Sequence, residues 1–311
     1  MGTAIATELS WPKGAIILAG GDGTRLDSLD STPANRDVPT QFCALTSDET
    51  MLEQTRRRAA ISIPRLRTLT VVNRKHEAYY APLSASIPTR NLVVQPSNCG
   101  TAAAILYGLL RMAAHEQVTS VAIFPSDHYL SDERQFMRHV NSAFATVEAR
   151  PELAVILGMA AFRPECGYGW IEPGERIGAG ETELRAVRRF VEKPAYDDAV
   201  ELMRRGALWN SLVIVARVST LLGSIMIALP ELYGAFASIR TAIGTAAEQA
   251  AIEGVYATVR GASFTDSVLA GSPVNLAVLS VSGVAFSDLG EPARALDNVR
   301  RPSASPKYAA A

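Results

Sequence analysis

The residues best suited to chemistry begin with Leu18-Ala19-Gly20-Gly21-Asp22-Gly23-Thr24-Arg25-Leu26. Three glycines let a backbone approach a polyphosphate closely, and successive N–H groups turned inward form a nest for an anion. Arg25 adds a fork of donors matched to phosphate oxygens. The glycines follow neither the G-x-x-x-x-G-K-[ST] order of a P-loop nor the G-x-G-x-x-G order of a dinucleotide fingerprint. Taken alone, the loop also reads as a plain tight turn. Two acids occupy comparable places: Asp127 follows the apolar run Val121–Phe124, and Asp288 follows Val284–Phe286. Carboxylates just beyond strand ends lie where open α/β sheets bind ligands. A pair of them suits Mg²⁺, a hard cation that takes one or two carboxylates plus phosphate oxygens. Either acid alone reads equally as a helix cap. His128, beside Asp127, suits packing or a local hydrogen bond, since magnesium disfavours imidazole. The chain has 30 Lys and Arg, yet lysine occurs only at 13, 75, 193 and 307. Lys193, just before Pro194, therefore suggests a need for a compact charge; a surface lysine is the alternative.

Seven short motifs extend this pattern: Gly20 to Arg25; Pro39-Thr40-Gln41-Phe42; Gln95-Pro96-Ser97-Asn98-Cys99-Gly100-Thr101-Ala102; Phe124-Pro125-Ser126-Asp127-His128; Gly167-Tyr168-Gly169-Trp170-Ile171; Phe190-Val191-Glu192-Lys193-Pro194, with Trp209-Asn210-Ser211 after it; and Phe286-Ser287-Asp288-Leu289-Gly290. In this order the chain resembles the sugar-phosphate nucleotidyltransferases, especially their mannose-1-phosphate guanylyltransferase-like branch. The resemblance covers residues 15 to 296. It implies a nucleoside triphosphate, most closely GTP, and a sugar-1-phosphate, most closely mannose-1-phosphate, as partners, with Mg²⁺ held by Asp127 and Asp288. It implies nucleotide binding by Leu18, Ala19, Gly20, Gly21, Gly23, Thr24, Arg25, Gln95, Gly100 and Thr101, with Gln95 and Gly100 meeting the base. Gly169, Glu192 and Asn210 resemble the family's sugar sites, Lys193 its lysine on the sugar phosphate. Arg25, Asp127, Lys193 and Asp288 form the implied catalytic set.

These residues need a scaffold. Ala15–Ala19, Leu69–Val72, Leu92–Val94, Val121–Phe124 and Ala154–Leu157 are near-continuous apolar runs, the pattern of strands buried on both faces. Between them Met51–Ala60 opens with Thr50 and Glu53 spaced as a capping box, Thr101–Ala114 is rich in Ala and Leu, and Glu133–Val147 follows Asp132 as a cap. Alternating strand and helix predicts a doubly wound, mostly parallel α/β sheet of Rossmann-like type. In the second half, Trp170–Glu172, Ala186–Glu192, Leu276–Leu279 and Val284–Ser287 read as strands. Asp197–Arg205, Thr220–Ala228 and Ala246–Ile252 read as helices. The division expected is a tail over 1–13, one domain over 14–300 with a nucleotide-binding half (14–150) and a sugar-phosphate half (151–300), and a disordered tail over 301–311. No hexapeptide periodicity marks a C-terminal β-helix.

Composition is that of an ordinary globular chain rather than a disordered one: 48% hydrophobic, 20% charged, net charge −1. Without a long basic stripe, nucleic acid is not the expected partner. Arg56-Arg57-Arg58 and Arg188-Arg189 read as solvated stretches. Cys43, Cys99 and Cys166 form no C-x-x-C pair and suit reduced thiols. The run Leu212–Leu229, broken by Arg217, is too interrupted for a membrane span, and a cytoplasmic protein is expected. The Ala- and Gly-rich segment 219–257 offers an apolar surface for a homodimer.

Two departures divide the reading. Thr40 stands where the family has lysine in Pro-Lys-Gln-Phe, and Cys99 where this branch often has arginine. Each removes positive charge beside an anionic substrate; Arg36 is a candidate substitute. An active transferase is one expectation, and a catalytically weakened nucleotide-sugar-binding or regulatory protein on the same fold is the other.

Overall fold

The computed structural model describes residues 12–22, 38–45, 47–114, 118–178, 183–271 and 275–289. Among these, the first part of the chain forms β1 (Lys13–Ala19), α1 (Met51–Ala59), β2 (Thr68–Asn73), α2 (Glu77–Ser84), β3 (Leu92–Gln95), α3 (Gly100–Ala113), β4 (Ser120–Pro125), β5 (His128–Leu130) and α4 (Glu133–Ala149). It continues with β6 (Ala154–Ala160), β7 (Gly169–Arg176), β8 (Leu184–Glu192), α5 (Tyr196–Arg204), β9 (Leu208–Arg217), α6 (Val218–Ala228), α7 (Pro230–Ala237), α8 (Glu248–Tyr256), β10 (Leu276–Val281) and β11 (Phe286–Asp288).

Nine strands share one sheet in the order β3-β2-β1-β4-β9-β6-β10-β8-β7, while β11 and β5 pair separately. Side chains alternate across β1: Ile16 joins the core beneath α3, α6, α7 and α8, and Ala15 and Ile17 join the core beneath α1, α4 and α5. Helices thus cover both faces, as a doubly wound fold requires. Burying a side chain the size of Ile16 or Phe144 contributes roughly 1.5–3 kcal/mol. The helix starts follow local chemistry. Thr50 Oγ1 accepts the Glu53 N–H while Glu53 accepts the Thr50 N–H, a complete capping box. Asp132 accepts the Gln135 N–H at 2.8 Å to open α4.

Beyond the short elements β5, α2 and α7, which the sequence pattern does not show, three corrections bear on the scaffold. The sheet is less parallel than expected: β3, β2, β1 and β4 run parallel, as do β6 and β10, but β9 is antiparallel to β4 and β6, and β8 to β10 and β7. Strand β9, central in the sheet, is missing from the sequence reading because its apolar run continues into α6 with no Gly or Pro between them. Arg58 is not solvated; it is 2% exposed. Among the described residues no helix is long and apolar enough to cross a membrane.

Candidate active site

Parallel pairing sets four strand ends side by side: Ala19 is level with Val72, Leu18 with Pro125, and Asn73 with Gln95. The loops that follow β1, β3 and β4 therefore open on one edge of the sheet. Ser126 Oγ donates to the Leu18 carbonyl at 2.7 Å, tying the loop after β4 to the end of β1. Gln41, buried in a short 3₁₀ turn over Thr40–Phe42, donates from Nε2 to the carbonyls of Ala19 at 3.2 Å and Gly21 at 2.8 Å. The turn is held in place by Phe42, stacked on Tyr79 with centroids 5.7 Å apart. Gln41 thus braces the glycine loop. Thr40 is buried in the same turn, 1% exposed, rather than lying open beside the phosphates.

Gln95 lies against Gly20 so closely that a Cβ there would collide with the Gln95 amide, which explains the glycine. Its Oε1 accepts from Tyr256 Oη at 2.8 Å, leaving Nε2 on the loop side. Asp22, next after the glycine pair, accepts from Asn98 Nδ2 at 2.9 Å and Lys75 Nζ at 3.2 Å. The Asn98 hydrogen bond, with help from Lys75, holds the Asp22 carboxyl below the usual carboxylate range. Gly100 and Thr101 open α3 at the same edge, but their polar groups serve the fold. The Gly100 N–H is taken by Asn98 Oδ1 at 3.0 Å, and Thr101 Oγ1 accepts the Phe264 N–H at 2.8 Å. Gly23, Thr24, Arg25, Arg36 and Gly290 lie outside the described residues.

The small β5–β11 ladder joins the backbone segments that carry the two acids. Asp288 is level with His128, and the Leu289 N–H donates to the Asp127 carbonyl at 3.3 Å. His128 Nε2 stands 3.8 Å from Asp127 Oδ1, and its ring packs edge-on against Phe286 at 5.0 Å. Burial pushes His128 down to about 4, against the pull of Asp288, so it is neutral at neutral pH and serves as packing. Beneath it, Arg58 Nη2 donates to the His128 carbonyl at 3.1 Å and pairs with Glu133 at 3.3 Å. Burial lowers Arg58 to about 10, which still leaves it charged at neutral pH.

Gly169, Glu192, Lys193 and Asn210 also come together. Gly169 is level with Glu192 across β7 and β8, and a Cβ on Gly169 would stand 2.7 Å from Glu192 Oε2 and 3.7 Å from Asn210 Nδ2. Asn210 Oδ1 accepts the Leu212 N–H at 2.9 Å, which leaves its amide nitrogen for a ligand. Lys193 has φ +45° and donates its N–H to the Tyr168 carbonyl at 3.2 Å. Tyr168 in turn accepts the Asp288 N–H on its hydroxyl at 2.9 Å. One residue therefore links the acid pair to the cluster around Gly169.

A braced glycine turn and the two acids lie at one edge of the sheet, and Tyr168 links the acids to a separate polar cluster around Gly169. Residues 14–225 match the family model described as nucleotidyl transferase. The chain belongs to this family. It is 33% identical over 207 residues to the alginate biosynthesis protein AlgA of Pseudomonas aeruginosa, covering 66% of this chain and 41% of that protein. It is 30% identical over 236 residues to a mannose-1-phosphate guanylyltransferase of Escherichia coli, covering 73% and 48%. The chain spans less than half the length of these curated relatives. Among solved structures, one described as a mannose-1-phosphate geranyltransferase from Thermus thermophilus superposes with TM-score 0.75 at 30% identity, covering 89% of this chain and 76% of that one.

For a nucleotidyl transferase, the sequence reading missed four supporting residues: Gln41, Asp22, Tyr168 and Tyr256. Gln41 and Tyr168 sit inside motifs that sequence inspection isolates, so a signal existed. Tyr256 carries none, because its contact with Gln95 spans 161 residues.

Proposed function

We propose that the chain transfers a nucleotidyl group from a nucleoside triphosphate, GTP, to a sugar-1-phosphate, mannose-1-phosphate, giving a nucleotide sugar and pyrophosphate. The observation that carries this reading is the Tyr168 link, which joins Asp288 to the backbone of Lys193 and so sets the acid pair next to the sugar-side cluster. Support for GTP and mannose-1-phosphate comes from relatives such as the Escherichia coli guanylyltransferase.

A phosphate monoester with a second pKa of roughly 6 is already mostly dianionic at neutral pH. Its oxygen attacks the α-phosphorus in line, the bond from that phosphorus to the bridging oxygen breaks, and pyrophosphate leaves. No general base is needed, so positioning and charge neutralisation dominate. Gln41 fixes the glycine loop that receives the triphosphate, and Gln95 faces the base. Gly169 leaves room for the sugar, whose hydroxyls meet Glu192 and the Asn210 amide, while Lys193 holds its phosphate. Asp127 and Asp288 would hold Mg²⁺, and carboxylate oxygens are donors that fit this hard ion. Phosphate oxygens and water would make up the rest of its ligands. When bound, the ion supplies charge neutralisation at the phosphates.

The test is pyrophosphate release with GTP, Mg²⁺ and mannose-1-phosphate, extended to a panel of four nucleoside triphosphates against several sugar phosphates. Turnover peaking at GTP with mannose-1-phosphate is expected. Turnover with another pair would reassign the substrates, and none with any pair would overturn the transferase reading.

A further inference from the structure

Resting on this reading, the geometry points to Lys75 as a cation for the triphosphate, held beside the glycine pair by Asp22, which Asn98 fixes in turn. The family's lysine position in the neighbouring turn is here Thr40, which is buried. That position brings no charge to the loop. An acid follows the glycine pair, which makes the local balance worse for a polyanion. Asp22 adds repulsion toward a triphosphate, which a cation fixed beside it would offset.

Lys75 is that cation. It follows β2 at the same sheet edge, in a 3₁₀ turn over Arg74–His76 started by Asn73, whose Oδ1 accepts the Lys75 N–H at 3.0 Å. The side chain is two-thirds exposed, yet its ammonium lies 3.2 Å from Asp22 Oδ1. Asn98 occupies the other oxygen, Oδ2, at 2.9 Å. The loops after β1, β2 and β3 thus converge on one carboxylate. An ammonium carries three donors, and one contact with Asp22 leaves two for phosphate oxygens. His76 Nε2 also stands 3.9 Å from Asp22 Oδ1, but burial lowers its pKa, so it adds no charge at neutral pH. An exposed pair of this kind contributes little to folding.

Lys75 can act in two ways, by touching phosphate or by only neutralising Asp22, and a double-mutant cycle separates them. Affinity for GTP is measured by titration calorimetry in wild type, Lys75→Met, Asp22→Asn and the double variant, with thermal melts to check folding. Direct contact predicts that Lys75→Met weakens GTP about tenfold in the Asp22→Asn background as well, as expected for a lost charge-assisted hydrogen bond. Lys75→Arg should restore most of it, and the effect should shrink as salt rises. If Lys75→Met has no effect once Asp22 is neutral, the inference is overturned. Wild type that binds no nucleoside triphosphate would overturn the functional reading instead, a distinguishable failure.

Discussion

The Tyr168 hydroxyl accepts the backbone N–H of Asp288 at 2.9 Å. The ring is fixed independently, edge-on to Trp209 at 5.1 Å and to Phe286 at 5.7 Å. Tyr168→Phe should keep that packing while leaving the Asp288 N–H without its acceptor, a cost of about 1–3 kcal/mol. The expected result is weaker activation of turnover by magnesium, with a higher half-saturating concentration, together with a lower melting temperature. A magnesium titration identical to wild type would mean that the contact does not orient Asp288.

Asp127→Asn and Asp288→Asn should each abolish magnesium-dependent turnover in a protein that stays folded. The amide keeps the shape but removes the charge that a hard cation needs. Initial rates across a magnesium series, with circular dichroism as the folding check, decide this. Full activity of either variant at ordinary magnesium would remove that residue from the metal site.

Beneath the acids, Arg58 and Glu133 set up a test of stability rather than rate. Glu133 also pairs with Arg57. Glu133→Gln would leave the buried Arg58 guanidinium uncompensated, and breaking such a pair costs about 3–5 kcal/mol. Arg58→Met should cost less, because an apolar stem replaces the buried charge and Glu133 keeps Arg57. Urea denaturation of both variants checks the order. Equal or reversed losses would show that the pair does not govern the packing beneath His128.

How far such contacts can be read from sequence depends on their range. The capping box of Thr50 and Glu53 spans three residues and is legible as a spacing. The strands β1, β2 and β4 are legible because burial on both faces makes each a bounded apolar run. The glycine loop and both acids announce themselves at strand ends. What cannot be read is pairing across the chain: Arg58 reads as solvated because Glu133 lies 75 residues away. Likewise β9 pairs with β4 and β6, both distant in the chain, and its apolar run alone does not announce those partners. Short pieces such as β5 carry too few residues for a period. The exchange of charge between Thr40 and Lys75 is a three-dimensional matter, since only folding brings the turn after β2 to Asp22.

Lys193 offers the sharpest separation of binding from folding. Its φ of +45° lies in the left-handed region, which costs a side-chain-bearing residue roughly 1–2 kcal/mol. The residue is held there by its N–H bond to the Tyr168 carbonyl, which any replacement other than proline keeps. Glycine adopts this conformation without the Cβ penalty, so Lys193→Gly should leave the melting temperature unchanged or raise it. If the ammonium holds the sugar phosphate, the same variant should lose most of its use of mannose-1-phosphate while binding GTP nearly as before. Titrating the two ligands separately, alongside a thermal melt, tests both halves together. Equal losses for both ligands would assign Lys193 to the triphosphate, and a falling melting temperature with unchanged sugar-phosphate use would make it a structural residue.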